Sequence, residues 1–224
     1  MPYRRTEKVV RRLAERHAAI ISGAQALASE EGMAGVQIAP VADRAGIAAG
    51  TVYRYFPSKT ELVAALVAAV SEQEISLMRR AADAAPGPLS ALAAAIATFA
   101  ARALRNRRLA WAVLAEPVDA EVDSVRLVYR KALVVEIETR LKAAMSRGNL
   151  PTQDTGIAAA ALVGALLEGL VGPLAPALDG DASKVRDAVQ TLTLLALRSV
   201  GVVDAHARGL VVQTALPRRE EASA

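Results

Sequence analysis

The chain has no cysteine, two histidines and only seven aromatic residues (Phe 2, Tyr 4, Trp 1) in 224. Without a thiol there is no disulfide, thiolate zinc site, iron–sulfur cluster or cysteine nucleophile. The two imidazoles, His17 and His206, are isolated and leave little for histidine catalysis or a histidine metal site. Nucleophile elbows, glycine-rich phosphate loops and spaced acid pairs are missing too. Glu136 and Glu138 stand two apart on a helical pattern and therefore point in different directions. These absences argue against an enzyme and against any cofactor or metal. Long apolar runs are also lacking. The longest uncharged stretch, 84–101, opens with Pro86-Gly87-Pro88 and is mostly Ala, too weakly apolar to span a bilayer. The segment Ala18 to Ala28 behind a basic start superficially resembles a signal peptide, but Ser22, Gly23 and Gln25 interrupt it. The expectation is a soluble cytoplasmic protein with no membrane partner.

What is present is apolar substance, 53% hydrophobic against 22% charged, enough for a packed core. The charge is unevenly placed. Residues 1–60 carry nine basic and five acidic side chains, a net of +4, and the remaining 164 residues are neutral. A basic end on a neutral body suits a polyanion-binding head, although charge alone fits a solvated helix surface equally well.

Strand patterning is scarce and helical periodicity recurs throughout. One long helix is expected from the cap candidate Thr6 to Glu31, and two short ones within Gln37–Tyr55. Another follows from Lys59 to about Ala82, capped by Ser58. The stripe Leu89, Leu92, Ala93, Ile96, Phe99, Ala100, Ala103 marks a fifth, followed by Leu109–Glu116 and Ala120–Arg147. The pair Thr155–Val171 and Lys184–Val203 is apolar on more than one face. It calls either for burial inside its own monomer or for a second copy of the same pair, in a four-helix contact between two subunits. The reading is therefore an all-α chain of about nine helices. A head occupies 1–60, a helical ligand-binding and dimerisation core 61–204, and a frayed tail 205–224.

Residues 37–62 read Q-I-A-P-V-A-D-R-A-G-I-A-A-G-T-V-Y-R-Y-F-P-S-K-T-E-L. Ile38, Val41, Ala42 and Ala45 form one inner face, Gly46 is the turn, and Ile47 fills the angle before a second short helix, Ala49 to Tyr55. This is a helix-turn-helix, whose second helix can enter a major groove. The small residues Ala48, Ala49 and Gly50 admit close backbone approach. Thr51, Tyr53 and Tyr55 offer hydroxyls, while Val52 and Phe56 anchor the helix. Arg54 adds charge, and Lys59 stands at a helix start placed for a phosphate.

The residues Val41-Ala42, Ala45-Gly46-Ile47, Gly50-Thr51-Val52-Tyr53, Tyr55-Phe56, Lys59 and Leu62 resemble the DNA-binding head of the TetR (tetracycline-repressor-like) family, specifically over 16–62. That resemblance implies a bacterial, all-helical homodimer that reads a palindromic operator on double-stranded DNA. It also implies a repressor released by a small-molecule effector. Two positions depart from the family pattern, Gln37 and Ala48, where a helix-capping hydroxyl is usual; a lost cap costs about 1 kcal/mol. The basic leader could compensate. Lys8, Arg12 and Arg16 recur on one face behind Arg4 and Arg5, unless that face is merely solvated with Glu7 pairing Arg11. The family places its effector among the middle helices. Phe99, Trp111, Tyr129 and Met145 are the large side chains available there, with Thr98 and Glu116 as polar handles. Glu168 stands alone in an apolar helix, to pair with Arg198 across a dimer or to face the pocket. Few fixed charges in these segments suggest a largely apolar effector. The alternative is a ligand-independent architectural DNA binder.

Overall fold

The computed structural model describes residues 7–178 and 181–214. The Arg4–Arg5 arm, the Thr6 cap, the Lys8 side chain and the last ten residues lie outside the described residues. Among those described there are ten α-helices, one 3-10 turn and no strand: α1 Glu7–Glu31, α2 Ile38–Ala45, α3 Ala49–Tyr55, α4 Lys59–Asp83, α5 Pro88–Arg105, α6 Arg107–Leu114, α7 Ala120–Ser146, α8 Thr155–Leu170, α9 Ala182–Ser199 and α10 Asp204–Gln213. None is long and apolar enough to cross a membrane.

The tenth helix corrects the frayed tail expected from residue 205. Gly201, in the left-handed region at φ +96°, turns the chain back. Asp204 at the start of α10 then binds Arg198 of α9 and Arg208 one turn on, so Ala207 and Leu210 become buried. Arg198 is thereby committed to Asp204.

Two apolar clusters organise the chain. One joins Ile20, Leu27, Val41, Val52, Phe56, Leu62 and Leu66 with Leu109, Ala112 and Val113 of α6 and Val122 of α7. The other centres on α5 and includes buried residues of α4, α7, α8, α9 and α10. Helix α4 serves both, and α6 packs with the N-terminal cluster, so packing draws no boundary at residue 60. Helix α5 is buried along most of its length; its alanines let neighbouring helices approach closely. It starts where Pro88 occupies the first turn and the Ser90 hydroxyl accepts from the Gly87 N–H at 3.0 Å.

A buried carboxylate ties α4 to α7. Glu136 is 3% exposed and accepts from Arg79 Nε at 2.8 Å and from Arg140 Nε and Nη2 at 2.8 and 2.6 Å, while Arg140 Nη1 also reaches Asp83 at 2.8 Å. Removing one member of such a pair strands the others. Glu136→Ala is expected to lower unfolding free energy by about 3 kcal/mol, read as a lower urea midpoint at unchanged slope. A loss below about 0.5 kcal/mol, the range of ordinary surface substitutions, would show that the cluster contributes nothing net. Glu138, two residues on, instead meets Lys142 and Thr155.

Candidate nucleic-acid interface

Helices α2 and α3 meet at Gly46, whose φ of +63° and ψ of +37° form a left-handed cap, with its N–H on Asp43 O and the Ile47 N–H on Ala42 O. Val52 is fully buried and Phe56 nearly so, which fixes α3 by one face and turns the other outward. On that outer side Ala48, Gly50, Tyr53 and Arg54 are exposed, while Ala49, Thr51 and Tyr55 are half-buried. A Cβ at Gly50 would meet nothing within 4 Å, so its own fold does not demand glycine there. Neither Gln37 nor Ala48 makes a side-chain cap; the Gln37 amide donates back to Ala34 O at 2.9 Å. Ser58 does cap α4, accepting from Glu61 N at 3.0 Å, and sets Lys59 exposed in its first turn. A bidentate Arg44–Glu30 pair (3.0 and 2.5 Å) fastens α2 to α1, and the Arg44 hydrogen bond holds the Glu30 carboxyl below its ordinary pKa. His17 lies with its ring 5.2 Å from that of Phe56, bringing the leader of α1 beside α3. In that leader Arg11 pairs with Glu15 at 3.5 Å, and Arg12 is exposed.

Among the cavities of the described residues, three bear on the expected effector site. One of about 270 Å³ is lined by Gln25 of α1, Val70 and Glu74 of α4, Phe99 and Arg102 of α5, Asn106, Leu109 and Val113 around α6, and Tyr129 of α7. Within it Arg102 Nε and Nη2 donate to both Glu74 oxygens at 2.6 and 2.7 Å. A second, of about 430 Å³, holds Trp111, Arg126, Arg130 and Glu168. A third is an apolar groove of about 280 Å³ between α8 and α9.

The expected effector residues are thus dispersed. Phe99 and Tyr129 share the first cavity; Trp111 and Glu168 face the second. Thr98 and Met145 line none of the three and pack in the core. Glu116 accepts from the Met33 N–H at 3.0 Å, at the joint between head and body. Glu168 is exposed rather than buried, and accepts from the Leu174 N–H at 3.0 Å to close the turn after α8; it does not meet Arg198 within the chain. The periodicity around it, apolar nearly all round, misjudged its exposure because α8 shows part of its apolar surface to solvent.

Residues 20–66 match the family model described as "Bacterial regulatory proteins, tetR family". This is a tetR-family head. The HTH-type transcriptional repressor KstR of Mycobacterium tuberculosis (strain ATCC 25618 / H37Rv) is 51% identical over 49 residues, 22% of this chain and 22% of that protein. The match therefore spans well under half the length of that relative. Beyond the head the likeness is one of fold. FadR of Bacillus subtilis in complex with stearoyl-CoA superposes with a TM-score of 0.70 at 19% identity, over 84% of this chain and 99% of that one. RolR in complex with resorcinol does so at 0.66 and 22%, over 93% and 97%.

The tetR-family head is clasped to the body through α6. Asn106 caps α6, its Oδ1 accepting from Leu109 N at 3.2 Å, and its amide donates to Ser29 of α1 at 2.9 Å. Arg108 donates to Glu31 O at 2.6 Å, and Arg107 to the Pro176 and Ala175 carbonyls beyond α8. At the far end Arg126, 6% exposed, donates to Val113 O and Ala112 O at 2.9 and 2.6 Å; burial pulls its pKa down, and Asp123 opposes that. The sequence offered no sign of this clasp, because its links to Ser29, Glu31 and Met33 join residues 77 to 83 positions apart.

Proposed function

We propose that the chain is a ligand-responsive, DNA-binding transcriptional regulator, a repressor released from a palindromic operator when a small molecule enters its core. The observation that carries this reading is the orientation of α3: Val52 and Phe56 hold it from beneath, and Gln37, Gly50, Tyr53, Arg54 and Lys59 remain exposed around it. Exposed backbone at Gly50 suits close approach to a duplex, Tyr53 and Thr51 suit base edges or phosphates, and Lys59 suits a phosphate. Two heads are needed for a palindrome, and the apolar groove between α8 and α9 is the surface offered to a second copy. The regulator would work in the bacterial cytoplasm, on the nucleoid when bound.

The effector is assigned to the 270 Å³ cavity. Gln25 in its wall belongs to α1 of the head, and Asn106 joins α5 to the α6 clasp, so an occupant touches the head and the body together. Stearoyl-CoA in FadR and resorcinol in RolR, bound by proteins of this fold, support a core that accepts small molecules. Occupation shifts DNA affinity only through different affinity for the two head arrangements.

The test is fluorescence anisotropy on DNA flanking the protein's own gene, with competitor DNA and a salt series. Tight, competitor-resistant binding is expected; competitor-sensitive binding alone would favour an architectural DNA binder. The leader adds a second expectation. With the His17 ring beside Phe56, removal of residues 1–14 is expected to flatten the salt slope by about one for each phosphate that the leader neutralises. An unchanged slope would leave Arg11 and Arg12 as solvated surface.

A further inference from the structure

We infer that His17 is a phosphate-contacting residue of the head and that DNA binding takes up a proton there, so that acidification tightens the complex. This rests on the reading of α3 as the helix that meets DNA, and adds to it a residue of α1 and a dependence on pH.

His17 stands three residues before Ile20, which is fully buried, and its own side chain is exposed. Its ring lies 5.2 Å from that of Phe56 and 6.4 Å from that of Tyr55, tilted by 44° and 58°. Tyr55 is the last residue of α3 and Phe56 closes it; Lys59, exposed in the first turn of α4, follows three positions on. The imidazole is thus seated where the reading helix ends, close in the chain to the lysine assigned to a phosphate. Among the described residues neither of its ring nitrogens has a hydrogen-bond partner. Two aromatic rings restrict it, so a contact with DNA costs little further ordering.

Imidazole is the side chain whose ordinary charge change falls between about pH 5 and pH 8. The chain has two, and His206 belongs to α10, so the head holds one. The charged and titratable groups of the elements beside His17 are Arg11, Arg12, Glu15 and Arg16 of α1, Arg54 and Tyr55 of α3, and Lys59 and Glu61 of α4. Glu15 is paired with Arg11 at 3.5 Å and Glu61 meets the Ser58 hydroxyl at 3.4 Å, while Arg12, Arg54 and Lys59 are exposed. A duplex brings phosphates to this basic rim, and an opposite charge nearby favours the imidazolium. The proton comes from solvent and stays on the ring, whose N–H donates to a phosphate oxygen. The complex then binds more protons than the separate partners, so affinity rises as pH falls.

Fluorescence anisotropy at constant ionic strength, at about pH 6 and about pH 8, tests this with full-length wild type, His17→Gln and His17→Arg. Each is titrated with duplex flanking the protein's own gene and with a random duplex of equal length, and thermal melting confirms that all three are folded. Wild type is expected to bind about tenfold more tightly at the lower pH, with a salt slope steeper by about one for each imidazolium that meets a phosphate. His17→Gln should bind at both pH values as wild type does at the higher one. His17→Arg should bind at both as wild type does at the lower one, a rescue that mere packing against Phe56 would not produce. Tight binding of the flanking duplex that changes by less than about twofold with pH, or a pH dependence that His17→Gln retains, overturns the inference and leaves the regulator reading standing. Equal binding of both duplexes with the pH dependence intact keeps the His17 contact and overturns the reading of a specific operator. Absence of binding to either duplex overturns both.

Discussion

Tyr53→Ala is expected to weaken operator binding about 30-fold with no change in fold or oligomeric state. Tyr53 is 52% exposed while its neighbour Val52 is fully buried, so truncation at 53 leaves the anchoring of α3 intact. Surface substitutions of this kind change stability by no more than about 0.5 kcal/mol. A hydrogen bond to a base or phosphate is worth about 1 kcal/mol or more. In a dimer on a palindrome the cost is doubled, and about 2 kcal/mol is roughly a 30-fold change in affinity. Anisotropy against the operator, beside circular dichroism of the free protein, checks both halves of the statement. Binding within twofold of wild type would remove α3 from the role of reading helix.

Leu195→Glu is expected to convert the protein to a monomer and to abolish tight operator binding. Leu195 is 56% exposed on α9, and Ile157 on α8 is 70% exposed. Between the two helices runs the groove lined by Ala158, Ala161, Leu162, Ala165, Leu166 and Leu192. Pairing this face with its own copy would bury it. A glutamate there brings two carboxylates to one apolar, two-fold interface, at a cost of several kcal/mol per ion. Unlinking the heads then removes the effective concentration that joins the two half-sites, weakening binding about a hundredfold or more. Sedimentation velocity reads the mass and anisotropy the affinity. A Leu195→Glu protein that stays dimeric would move the interface to another face.

The head was legible in the sequence because its determinants are local. Gly46 as the left-handed turn, Val41 and Ala42 inward, Val52 and Phe56 as anchors, and Ser58 as a cap are each set by neighbours a few positions away. The missing caps at Gln37 and Ala48 were legible for the same reason. The cavities were less so. Phe99 and Tyr129 were found by size, but Glu74 and Arg102, which pair in the same wall, are 28 positions apart and show no pairing signal in one sequence. Glu116 was read as a polar handle for a ligand and is instead the link from α6 to Met33. Trp111 and Glu168 fall in a different cavity, which the ends of α6 and α8 line together with the start of α7.

Periodicity and turn chemistry alone determined an all-helical chain with a basic helix-turn-helix at its start and an apolar helix pair near its end. Those properties depend on spacings of two to seven residues, which one helix reads by itself. Tertiary structure alone decided that α6 is built into the head, that residues 204–213 form a helix held by Asp204, and which side chains share each cavity. Each of these is a contact between segments far apart in the chain, and its energy exists only once both segments have been brought together.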